Sequence, residues 1–140
     1  MRRILLSTLV LASCSLFVAG TAECKGKPGG GSSTSGTFQS VNGSGVGGQV
    51  SLNGGASGTT ITVSVSGLQD NVEYVASWST TVACDMGTLP PAGAFYRFRG
   101  KNGSARFSVT VAEPFSDIHS IAIQQDTGTG LALVACAPVN

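Results

Sequence analysis

The chain has 140 residues, eight of them basic and seven acidic, and only 11% of it is charged. A typical domain carries about 25% charged residues, so this balance argues against a long surface helix, a coiled coil or a strongly basic nucleic-acid binder. Gly (20), Ser (18) and Thr (13) crowd the composition, while a single His and seven scattered acids leave little for catalysis or metal binding. One domain is the ceiling.

At the N-terminus, Arg2-Arg3 precede an apolar stretch from Ile4 to Val18, and Gly20-Thr21-Ala22 places small residues before a cut at Glu23. Residues 1–22 therefore read as a secretory signal peptide. A competing reading is Leu11-Ala12-Ser13-Cys14, which resembles the lipobox of bacterial lipoproteins and would place a lipid on Cys14. The expected address is secreted or periplasmic, with an outer-membrane lipoprotein as the alternative. Simple cleavage leaves six basic against seven acidic residues. Such a balance recruits neither nucleic acid nor an anionic membrane, so membrane contact is expected only through lipid at Cys14. Residues 23–36 include KGKPGGGSSTSG and read as a Gly/Ser-rich flexible tether, leaving residues 37–140 as the folded domain.

From Thr37 onward the hydrophobic period is two. Ile61, Val63 and Val65 alternate with Thr60, Thr62 and Ser64, and Phe107, Val109 and Val111 alternate with Arg106, Ser108 and Thr110. The pattern predicts seven or eight strands near 37–41, 47–52, 59–66, 72–80, 94–99, 104–112, 118–125 and 130–136. Leu131 to Cys136 is apolar on both faces, as a central strand should be. Asn-Gly pairs at 42–43, 53–54 and 102–103 are hairpin-turn signals, and only the last gives a clean facing register. The fold class is all-β: one sandwich of antiparallel strands, of immunoglobulin-like size. If Asn102-Gly103 is a two-residue turn, Phe98 faces Phe107, Tyr96 faces Val109 and Ala94 faces Val111. The other side then sets Arg99 against Arg106, with Arg97 and Phe95 beside them.

That second face is the candidate binding site. Arg97, Arg99, Lys101 and Arg106 are four of the six basic residues of the cleaved chain. A carboxylate, sulfate or phosphate between two facing guanidiniums would relieve their repulsion, so an anionic glycan or an unknown protein is the expected partner. The bland alternative is a solvated face whose charges are offset by Asp85, Glu113 or Asp117. His119 has no second His to work with and reads as a surface or half-buried hydrogen-bonding residue. Trp78 reads as a core residue. No Gly-x-Ser-x-Gly elbow occurs, and Asn42-Gly43-Ser44 and Asn102-Gly103-Ser104, though glycosylation sequons, read as turns. Cleavage leaves Cys24, Cys84 and Cys136, an odd number for an oxidising compartment. Cys24 lies in the tether. A Cys84–Cys136 disulfide is the preferred pairing, stabilising by roughly 4 kcal/mol on the chain-entropy model. The alternative leaves one of the two as a buried thiol.

Ser120-Ile121-Ala122-Ile123, then Leu133-Val134-Ala135-Cys136-Ala137, together with Val65-Ser66-Gly67-Leu68, resemble short motifs of the copper/zinc superoxide dismutases and the related CHRD-type sandwiches. The resemblance implies a Greek-key β-sandwich in which a loop cysteine, here Cys84, bonds to a closing-strand cysteine, here Cys136. It implies no dismutase site, because the stretch that would carry the family's His-x-His reads Tyr74-Val75-Ala76-Ser77-Trp78-Ser79. No catalytic residue, metal or cofactor is expected. The leading function is a non-catalytic interaction or structural module of the envelope. The alternatives are a degenerate or unrecognised enzyme of that fold, or a fibre subunit that exchanges a strand.

Overall fold

A computed structural model describes residues 31–82 and 93–140. The expectations for the signal peptide, Cys14, Cys24, most of the tether, Cys84, Asp85 and Pro90-Pro91 lie outside the described residues. The described chain is all-β. Its strands are β1 (Ser33–Ser40), β2 (Gly47–Gly55), β3 (Gly58–Ser66), β4 (Glu73–Ser79), β5 (Ala94–Arg99), β6 (Ser104–Val111), β7 (Ser120–Asp126) and β8 (Leu131–Pro138). A 3-10 turn, Phe115–Asp117, precedes β7. Among the described residues no helix is long and apolar enough to cross a membrane.

All ladders are antiparallel, and the strand order is β5-β4-β7-β8-β1-β2-β3-β6. Strand β1 is the corner piece: Ser33 to Phe38 pair with β2, whereas Gln39 and Ser40 pair with β8. Its first residues are Ser33 to Gly36, which the sequence reading had assigned to the tether. They join the sheet through backbone bonds, which polar residues make as well as apolar ones. The two end strands, β5 and β6, share no ladder, and their backbones pair only at the Lys101–Ser104 bridge of the turn between them. The result is one sheet curled into a nearly closed barrel.

The alternation read from the sequence fills that barrel. Ile61 and Val63 are wholly buried and Val65 nearly so, while Thr60, Thr62 and Ser64 face outward. They meet Leu52, Tyr74, Ile121, Ile123 and Ala135 in one core. Each such aliphatic side chain contributes about 1.5–3 kcal/mol of burial free energy. Trp78 and Phe95 are partly buried and pack against this core.

The turns sort differently from the dipeptides. Asn102 and Gly103 have φ values of 52° and 70°, and Asn42 and Gly43 have 54° and 70°, the left-handed pairs that a two-residue turn requires. Asn53-Gly54 is no turn: it lies within β2, paired with Thr60 and Thr59, and the chain reverses two residues later at Ala56-Ser57.

A second group of buried side chains lies on the opposite side of the sheet from the core. Val75, Ser77, Ala122, Gln124 and Cys136 share that side by register and are at most 5% exposed. Ser77 Oγ donates to Gln124 Oε1 at 3.2 Å. Gln124 Nε2 has no partner among the described residues.

Candidate functional site

The turn at 101–104 carries Lys101 and its flanking strands carry Arg97, Arg99 and Arg106, but the hairpin does not zip. Beyond Lys101–Ser104 the two strands part. β5 pairs with β4, setting Glu73 opposite Arg99 and Val75 opposite Arg97; β6 pairs with β3, setting Ser64 opposite Arg106. The expected Arg99–Arg106 pair is therefore not a cross-strand pair. Each strand makes its ladder with its other neighbour, and rings from both strands meet across the seam between β5 and β6. Phe107 lies 4.4 Å from Tyr96 and 4.8 Å from Phe98 by ring centroid, and Phe98 lies 5.7 Å from Tyr74. A register shift between Ala76 and Ser77 leaves Phe95 unpaired, so Phe95 packs against the core instead of standing beside the arginines.

The four cations divide into two pairs. Arg97 is held: its guanidinium donates to Glu73 at 2.7 Å and to Asp126 at 3.2 Å. Arg99 reaches Glu73 at 3.6 Å. These carboxylates, rather than Glu113 or Asp117, offset the two arginines. Lys101 and Arg106 make no ion pair with any described carboxylate.

The hydrogen bond to Glu73, then that to Asp126, raises the Arg97 pKa above its ordinary value. Asp126 is held below the usual aspartate range, first by the Gly128 amide and then by Arg97. A carboxyl whose folded pKa is depressed contributes stability above its ordinary range, and that stability is lost as pH falls through the depressed value. Asp126→Asn is expected to flatten the acid limb of the stability profile, read by urea unfolding from neutral pH down to about pH 2. An unchanged limb would contradict this role.

Between β5 and β6 the open seam forms a cleft of ≈ 490 Å³. Tyr96, Phe98, Ala105 and Phe107 make its apolar floor; Arg99, Lys101, Ser104 and Arg106 make its polar rim. Tyr96 is 39% exposed, high for a large ring on the core-facing parity of its strand. The rim is clamped from beneath by residues 67–71. Gly103 N donates to Asp70 Oδ1 at 2.9 Å, Leu68 N donates to Gly103 O at 3.0 Å, and Gln69 N donates to the Tyr74 hydroxyl at 2.9 Å. Gly100 is buried here, and a Cβ on it would stand 2.7 Å from Gln69 O, so the turn fits only because this residue has no side chain.

The sequence reading located the cations but assigned the rings to an interior face. What it could not supply was the parting of the strands, which turns an interior face into a floor. His119 is half-buried at the start of β7, its backbone bonded to Ser79 O and from Val139 N. Among the described residues no three His, Cys, Asp or Glu are placed to share a metal ion. The chain matches no protein-family model, no curated protein and no solved structure.

Proposed function

We propose that this chain is a secreted or envelope-associated, non-catalytic module of the Greek-key sandwich type that binds an acidic saccharide in the β5–β6 cleft. The cleft carries the reading: an aromatic floor lies beside two cations, Lys101 and Arg106, that have no carboxylate partner among the described residues. The C–H faces of sugar rings pack on aromatic rings, and carboxylate or sulfate substituents pair with ammonium and guanidinium groups. A neutral glycan uses only the floor, and a bare anion only the rim.

The Greek-key part is supported by the non-consecutive neighbours β7 beside β4 and β6 beside β3. Strands β4, β5 and β6 follow one another in the chain, β5 and β6 sharing only the bridge at their turn, and β7 returns by a longer connection to pair with β4. The likeness to dismutase-type sandwiches extends to the fold alone, since β4 holds no histidine where that family's ligands would stand. The Cys84–Cys136 disulfide belongs to the same proposal. Its support is that Cys136 is 1% exposed on the buried side of the sheet away from the core.

Isothermal titration of the protein with octagalacturonate and with uncharged cello-octaose tests the reading. Saturable binding of the acidic chain that weakens with added salt is the expected result. Equal binding of both chains, or no binding of the acidic one, overturns it.

A further inference from the structure

Arg106 faces outward from β6 and lines the cleft, yet it also ends a row of side chains on the outer face of β1, β2, β3 and β6. By register that row is Thr37, Gln49, Ser64 and Arg106, running straight across four strands. The next row is Ser35, Ser51, Thr62 and Ser108, and the one beyond is also made only of hydroxyl and amide residues. Rows of this kind repeat about every 7 Å along a strand, and their members stand about 4.8 Å apart across the sheet. The three rows together hold no carboxylate and no apolar side chain. A depression of ≈ 330 Å³ lies over the first two rows and reaches Arg106.

These hydroxyls differ in how far they are committed. Thr62 and Ser108 bond each other at 2.9 Å, as do Thr60 and Thr110. Ser35, Thr37, Gln49, Ser51 and Ser64 make no side-chain hydrogen bond among the described residues. They present free donors and acceptors on a surface without negative charge. A protein partner would call for a buried apolar or aromatic anchor, and the three rows offer none. A chain of hydroxylated rings needs only repeated donors and acceptors, and an acidic one meets no like charge here.

We infer that the ligand is a linear acidic polysaccharide that leaves the β5–β6 cleft over Arg106 and continues along the hydroxyl rows of β3, β2 and β1. This rests on the cleft reading and adds to it a direction and a minimum length. From Arg106 to Thr37 the track crosses three strand spacings, about 14 Å, beyond the cleft itself. A disaccharide held in the cleft cannot reach the far end.

The test is calorimetric titration of the whole protein with digalacturonate and with octagalacturonate, repeated on a Thr37→Val/Gln49→Ala/Ser64→Ala variant. All three substitutions lie on exposed strand positions, where such changes usually leave stability nearly unaltered. Octagalacturonate is expected to bind the native protein about tenfold tighter than digalacturonate, and the variant to lose most of that gain while its affinity for digalacturonate is unchanged. Equal affinity for both lengths, or a variant that keeps the full gain, overturns the extended track and leaves the cleft reading standing. Binding of neither length overturns both.

Discussion

Replacing Lys101 and Arg106 together by glutamate is expected to weaken acidic-oligosaccharide binding by about a hundredfold or more. Two charge-assisted hydrogen bonds at about 1.5 kcal/mol each, the low end for exposed groups, already amount to that factor. Repulsion by the two new carboxylates adds to it. The contrast lies four residues before Lys101, on β5. Arg97 is occupied by Glu73 and Asp126, so Arg97→Gln should leave the affinity within about twofold, since it removes no rim cation. Calorimetry separates the two outcomes. The cations also stand on the open edges of the sheet, where charge of either sign discourages edge-to-edge pairing. The double glutamate variant should therefore stay monomeric in sedimentation, and its loss of binding then reports recognition rather than aggregation. Equal loss in Arg97→Gln would show that the rim acts as a diffuse charge and not as a site.

Truncating Tyr74 to alanine is expected to cost about 3–5 kcal/mol of folding free energy, read as a lowered urea midpoint. Tyr74 is the largest wholly buried side chain of the core at 1% exposure. Its ring stacks on Phe98, which in turn contacts Phe107, so it begins the row of rings that spans the β5–β6 seam. Its hydroxyl accepts the Gln69 amide, fixing the segment that clamps the 101–104 turn. Tyr74→Phe separates these roles. It keeps the ring, orphans one amide and should cost about 1 kcal/mol. If Tyr74→Ala cost no more than Tyr74→Phe, the rings would not be what holds the seam.

Much of this fold is legible as faces and little of it as neighbours. A period of two tells which side of a strand is wet, and Ile61, Val63 and Val65 needed nothing more. It does not tell which strand lies alongside. Tyr96, Phe98 and Phe107 were readable as one apolar face, yet that pattern suits a ladder between β5 and β6 as well as two ladders to β4 and β3. Only the assembled sheet shows that β5 and β6 make their ladders with β4 and β3 and meet across the seam through their rings. The partners of Arg97 are similarly silent in sequence, being 24 and 29 residues away on two other strands. Asn53-Gly54 misled because a turn signal is local, whereas Leu52 and Ile61 must both face the core and thereby move the reversal to Ala56-Ser57. Ser33 to Gly36 read as tether because hydropathy carries no trace of a strand held by its backbone.

The central claim is that the β5–β6 cleft is where an acidic saccharide binds. Backbone amide shifts of labelled protein titrated with octagalacturonate test it most directly. The account predicts the largest shifts at residues 96–107 and in the clamping segment 67–71, with smaller ones along Thr37, Gln49 and Ser64. Shifts centred on the opposite end of the barrel, around Ser79, His119 and Val139, would contradict it.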